Sequence, residues 1–316
     1  MSKAGMRRRS GDLKFDFLVL LIACAAVVLG LGVGAWPSAV SASGGAFVSQ
    51  SKSGIAGWTT VGSSTENTLY AGEGVATVSQ RGQKPYELYR GLASVPSNLK
   101  AQGWAHIGDP DSVDGYIFDA YQGPSSGTSK MFLVTTPSGE SLEYLHTLIP
   151  GELYNNSFVA VSPDRQWMIA GEWGTMSHLQ IYPTPLLNHK TSSHGGPLQL
   201  AGYIKLDHRV NDVQGCDFVT AVRLVCASDD DSRTLFPNEK PLVEVDLPTA
   251  LHGGSVKGHV VNLGSIPQQS SCSGTFEAEG VDFETSADIL RVEVIQPSSC
   301  ILKTTIYEYK PAGSRG

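Results

Sequence analysis

Short runs that alternate apolar and polar residues constrain this chain more than any other feature. Leu290, Val292 and Val294 alternate with Arg291 and Glu293, a period of two that belongs to a half-buried β-strand. Runs of similar length and apolar content recur at Val75–Val78, Tyr116–Phe118, Met131–Val134, Phe158–Val161, Trp167–Ala170 and Leu179–Tyr182. They continue at Phe218–Ala221, Leu224–Ala227, Val243–Leu247, Gly280–Phe283 and Thr305–Tyr309. The 35 glycines and 17 prolines punctuate these runs, as they do in an all-β sandwich, barrel or propeller. Only Pro85–Leu92 reads as a short helix beyond the N-terminal region.

Spacing favours the propeller. A unit of strand, turn, apolar strand, polar gap and strand begins near Tyr116, Phe158, Phe218 and Phe283, roughly 40–65 residues apart. A propeller blade uses about 40–50 residues and four strands, so residues 58–310 accommodate five or six blades. Within one unit, Val159-Ala160-Val161-Ser162-Pro163-Asp164-Arg165-Gln166-Trp167-Met168-Ile169-Ala170 puts a proline where its fixed φ starts a turn. The aspartate after it can cap that turn with its carboxylate. This stretch resembles the strand–SPDG–strand hairpin of WD-type and TolB-type β-propeller repeats, with Arg165 where those repeats carry glycine. The resemblance implies a fold and no particular activity, because propellers serve as hydrolases, binding platforms and scaffolds alike.

Ahead of this body, Phe17–Trp36 runs for twenty residues without a charge, the length an α-helix needs to cross a bilayer. Five cations precede it against two anions, so the positive-inside rule places the N-terminus in the cytoplasm. The expected organisation is a basic cytoplasmic tail (1–16), a transmembrane signal anchor (17–36), a Ser/Gly/Ala-rich flexible stalk (37–57), the propeller (58–310) and a short tail (311–316). This describes a single-pass bacterial cell-membrane protein with its C-terminal domain outside. Cleavage after Val40-Ser41-Ala42 would instead secrete the domain. Leu21-Ile22-Ala23-Cys24 fits a lipobox, but the residues after Cys24 stay apolar where a lipoprotein carries a polar linker.

Removing the five cations and two anions of residues 1–36 from totals of 23 and 30 leaves a net charge near −10 outside. Nucleic-acid affinity comes from neutralising phosphates with Lys and Arg, so nucleic acid is not an expected partner. The partners expected are the membrane, through the N-terminal helix, and an extracellular protein, glycan or small molecule. Cys216, Cys226, Cys272 and Cys300 make an even set in an oxidising space. Sequential pairing, Cys216–Cys226 and Cys272–Cys300, suits a hairpin staple best among three possibilities.

Candidate chemistry is sparse. Asp109, Asp111 and Asp114 form a D-x-D-x-x-D-G loop that could offer calcium three side-chain ligands; the bland alternative is a solvated turn. Ser228-Asp229-Asp230-Asp231-Ser232 is a second acidic knot, again solvated in its common form. Glu279-Gly280 before Val281-Asp282-Phe283 resembles the "EG" element of calcium-dependent propeller hydrolases such as lactonases and phytases. There the glutamate enters the central channel as a metal ligand, which implies that role for Glu279, with Glu172 as a second channel carboxylate. The plain alternative is a glutamate at a strand end facing solvent. Gly123–Gly127 matches G-x-S-x-G without the strand-to-helix elbow that motif requires. Two S-x-x-K matches lack their companion elements. No complete catalytic set is present, so the expected function is a non-catalytic binding or scaffolding propeller without cofactor; the alternative is a calcium-dependent hydrolase of the lactonase or phytase type.

Overall fold

The computed structural model of the protein describes residues 54–313. The apolar segment 17–36, its basic flank and most of the expected stalk lie outside the described residues. Among the described residues no helix is long and apolar enough to cross a membrane.

Antiparallel meanders follow one another along the chain. β1 (Trp58–Asn67) stands apart from its neighbours in sequence, and a two-stranded ribbon follows, β2 (Gly74–Val78) with β3 (Tyr86–Arg90). One helical turn, α1 (Ser97–Ala101), leads to the second sheet: β4 (His106–Ile107), β5 (Asp111–Val113), β6 (Tyr116–Gln122), β7 (Ser129–Thr135) and β8 (Ser141–Thr147). The third contains β9 (Phe158–Val161), β10 (Trp167–Gly171) and β11 (Met176–Pro183). After them the short β12 (Gly196–Pro197) pairs in parallel with β8, and β13 (Gly202–Val210) completes the third sheet. The fourth meander is β14 (Val213–Thr220), β15 (Arg223–Ser228), β16 (Pro241–Asp246) and β17 (Val256–Ser265). The last is β18 (Glu277–Glu284), β19 (Ile289–Ile295) and β20 (Lys303–Pro311), and β1 adds itself as its outer strand.

The innermost strands form a closed circuit, β2 beside β5, β5 beside β9, β9 beside β14, β14 beside β18 and β18 beside β2. The chain is therefore all-β and propeller-like. At the rim β13 and β17 pair in parallel, Ile204 opposite Val256, which joins the third and fourth meanders into one eight-stranded, nearly closed sheet. Ring closure is the work of β1, whose Trp58 to Asn67 pair antiparallel with Pro311 to Lys303.

Side-chain alternation distributes the core between sheets. Phe158 and Ala160 join Cys216, Phe218 and Leu224 in the seam between the third and fourth meanders. Val159 and Val161, pointing the other way, join Phe118, Phe132 and Tyr144 against the second. Val225 and Ala227 meet Val281 and Phe283 in the seam with the last sheet. A slip of one residue would exchange the two seams of a strand, and burying each Phe or Leu contributes about 1.5–3 kcal/mol.

Three expectations change. Pro85–Leu92 is not a helix: Tyr86–Arg90 pairs residue for residue with Gly74–Val78, and strand pairing outweighs the helical preference of Glu87 and Leu88. The folded body starts before Trp58, since Ile55 is buried and Ala56 N–H donates to Leu263 O at 2.7 Å. An apolar residue in a Ser/Gly-rich stretch is thus core rather than stalk. Finally, Arg291 and Glu293 do not face solvent. They are 5% and 0% exposed, because that side of β19 packs towards the β2–β3 ribbon.

The Ser162–Gln166 turn keeps the geometry that the SPDG pattern requires. Ser162 N–H donates to Trp167 O at 2.7 Å, and Asp164 Oδ1 accepts Gln166 N–H at 2.9 Å. Arg165 takes the left-handed conformation, φ 65°, that glycine adopts without cost. Both expected disulfides are present. Cys216–Cys226 bridges directly opposed residues of β14 and β15, and Cys272–Cys300 ties the approach to β18 to the turn before β20.

Candidate functional site

An innermost strand has one edge with no strand beside it, and its N–H groups need acceptors. Aspartates supply them. Asp109, fully buried, accepts Val75 N–H on Oδ1 and Val281 N–H on Oδ2, each at 3.0 Å. Asp282 accepts Thr77 N–H at 2.7 Å and Thr77 Oγ1 at 2.6 Å. Asp217 accepts Phe283 N–H at 2.6 Å, Asp111 accepts Val161 N–H at 2.5 Å, and Asp229 accepts Ala278 N–H at 2.8 Å. Asp111, Asp217 and Asp282 each fasten one inner strand to the next, Asp109 ties β2 to β18, and Asp229 ties the end of β15 to β18.

Asp109 occupies the axis itself. A Cβ added to Gly74, Gly215 or Gly280 would come within 2.4 Å of it, so these three backbones close round the carboxyl and only glycine fits. Burial pushes the Asp109 carboxyl well above its usual range against the pull of its two N–H donors. Burial likewise raises Asp111 to about 7, and lifts Asp217 with help from the charges of Asp111 and Asp282.

A second group of acids lies around the bulge where Glu279 and Gly280 together oppose Glu293, the register shifting between Ala278 and Val281. A bulge of this kind re-aims a side chain. Burial raises Glu279 well above the usual carboxyl range, followed by the charges of Glu73, Glu277 and Asp229. Glu73 is raised by burial and then by Glu277 and Glu293, and it lies 3.6 Å from the His106 ring. Burial pushes His106 down to about 4 and Glu293 up to about 8. Neither Glu293 carboxylate oxygen makes a well-formed hydrogen bond. Near neutral pH Glu293 therefore keeps its proton.

The residues expected to bind metal are dispersed. Asp109 faces the axis, Asp111 faces the Val161 amide, and exposed Asp114 pairs with Arg165. Glu172 lies between the second and third meanders, where Oε1 accepts Lys130 Nζ at 2.7 Å, Leu153 N–H at 2.9 Å and Gln180 Nε2 at 3.1 Å. Burial lowers the Lys130 pKa and the Glu172 charge opposes that shift. Glu279 alone of the five stands in the second acidic group. The 228–232 knot is partly neutralised by buried Lys240, whose Nζ lies 2.6 Å from Asp229 and 2.9 Å from Asp231. Among the described residues no three His, Cys, Asp or Glu side chains gather in a metal-ligating arrangement.

Glu73, Glu277, Glu293 and His106 were not legible as members of one group. His106 flanks the Asp109–Asp114 loop and Glu277 the Glu279-Gly280 element, two stretches far apart in sequence, Glu73 sits in no motif, and Glu293 carries the pattern of an exposed strand residue.

No protein-family model matches the chain, and no curated protein matches it either. Among solved structures it is similar to the native Bacillus subtilis arabinanase Arb43A, at 10% identity and TM-score 0.41, over 78% of this chain and 96% of that one. It is also similar to a DUF4623 family protein from Bacteroides eggerthii, at 10% identity and TM-score 0.38, covering 81% and 77%. A third similarity is to Kuenenia stuttgartiensis hydrazine synthase, at 10% identity and TM-score 0.33, covering 68% of this chain and 55% of that one.

Proposed function

We propose that the chain is a membrane-anchored, extracytoplasmic binding or scaffolding module without a catalytic centre, built on a five-bladed β-propeller of the WD- or TolB-like kind. The observation that carries this reading is the filled axis. Asp109, just ahead of β5, and Asp111, Asp217 and Asp282 on inner strands are engaged with backbone N–H groups of neighbouring sheets. A hydrolytic propeller needs such carboxylates free to hold a metal and a water. The circuit of five inner strands supports the blade number. Two disulfides favour an oxidising compartment, and the uncharged run 17–36 supports the anchor. The ligand is an extracellular protein, glycan or small molecule reached through loops and edges.

Thermal melting of the protein with EDTA and then with excess calcium tests the reading. The midpoint is expected to stay unchanged in both. A midpoint that falls on chelation and recovers with calcium sinks it in favour of the second reading, a calcium-dependent hydrolase of lactonase or phytase type. One observation favours that alternative: beyond burial, the charges of Glu277 and Glu293 raise the Glu73 carboxyl, and those of Glu73, Glu277 and Glu293 raise Glu279, the electrostatic situation a bound cation would relieve.

A further inference from the structure

We propose that the open edge of β3 accepts an extended, lysine- or arginine-rich segment of a partner protein as an added strand. The inference rests on the binding-module reading and assigns that reading a surface.

The edge follows from hydrogen-bond direction. Val75 and Thr77 turn their N–H groups away from β3, to Asp109 at 3.0 Å and Asp282 at 2.7 Å. Backbone groups of directly opposed residues in an antiparallel pair either both meet or both turn away. Tyr89 opposes Val75 and Glu87 opposes Thr77, so both point their N–H and C=O groups outward from the ribbon. Among the described residues only β2 pairs with β3, while the third, fourth and last sheets contribute four strands each. An exposed row of such groups is a template for strand addition.

The charge identifies the occupant. The missing outer strands leave open only the outer part of the last sheet's face that looks across at the ribbon, where Glu308 is partly exposed and Glu66 exposed, while Arg291, Ile295 and Thr304 on the same face stay buried. Register puts Arg291 opposite Glu308 and Glu308 opposite Gly62, with Ile295, Thr304 and Glu66 in a second row on the same face. Arg291 is the one buried cation in that seam and serves Asp282 and Glu284 at 2.8 Å, Glu87 at 3.2 Å and Glu308 at 3.4 Å. Four carboxylates share one guanidinium, and exposed Glu66 adds a fifth negative charge. A strand laid along β3 would direct every second side chain towards this wall, and Lys or Arg at those positions meets the excess negative charge.

Calorimetric titration of the full chain with the synthetic peptide KTKVKTK, and with ETEVETE as control, tests the proposal. The basic peptide is expected to bind, to bind more weakly at high salt, and to weaken by about tenfold when Glu66→Lys and Glu87→Gln are combined. Tyr89→Pro removes an outward N–H and is expected to abolish binding with the carboxylates intact; circular dichroism confirms that each variant is folded. Absence of binding, equal binding of the acidic peptide, or unchanged affinity in the folded variants overturns the edge assignment. The binding-module reading survives those outcomes, because it falls only to the calcium result above.

Discussion

Two seams of the ring share one geometry and differ in chemistry. Between the third and fourth meanders, Phe158, Ile169, Ile181, Phe218 and Leu224 pack with no charge among them. Between the ribbon and the last sheet, Arg291, Asp282, Glu293, Thr77 and Glu87 take the corresponding places. The dry seam gains its stability from area removed from water, with little directional demand. The charged seam gains little net stability, because desolvation offsets attraction, yet it penalises wrong pairings heavily. The ring thus puts adhesive strength between consecutive sheets and discrimination where its two ends meet.

Substitutions can break this contrast, beginning with the largest expected effect. Phe158→Ala should cost about 3–5 kcal/mol in urea unfolding, with the same loss at acid and alkaline pH. Arg291→Met should cost about 3 kcal/mol near neutrality, since Asp282 is left buried without its cation. That loss should shrink as falling pH protonates Asp282, whose carboxyl burial already raises. An Arg291 loss that does not change with pH would erase the distinction. Reducing Cys216–Cys226, which lies within the dry seam, should cost about 2–3 kcal/mol for so short a loop, read as a lower melting temperature.

The smaller effects sharpen the contrast. Glu293 ionises near 4.5 when unfolded and at about 8 when folded. Between those values the folded state holds the extra proton, so stability falls as pH rises through the window and levels off above it. Glu293→Gln should remove this dependence and stabilise the protein at pH 9, measured by thermal melts across pH. Arg165→Gly relieves a left-handed arginine and gives up only an exposed ion pair. It should change stability by less than about 1 kcal/mol, in the stabilising direction.

The sequence carried the strands, because a period of two is local. It also carried the disulfides, because an even cysteine count in an all-β body leaves few pairings. It could not say which polar face meets water. Arg291 and Glu293 look like the wet side of a strand until a ribbon some two hundred residues earlier covers them. Asp109, Asp111 and Asp114 were visible as a cluster, but the amides such aspartates hold were not, because the N–H donors lie far along the chain: Asp109 accepts from Val281 and Asp282 from Thr77, at separations of 172 and 205 residues. The pattern around Glu279 was readable, but the bulge that sets it opposite Glu293 depends on pairing with β19. The helix expected at Pro85–Leu92 failed for the same reason, since its partner strand lies outside any local window.

Among the described residues, the outermost strand of the last sheet is the first one synthesised. As the chain emerges from the ribosome, Trp58–Asn67 has no mate until Lys303–Pro311 follows more than two hundred residues later. Completion is therefore all or nothing: a product truncated before Lys303 leaves this strand with an unclaimed ladder, a template for unwanted pairing.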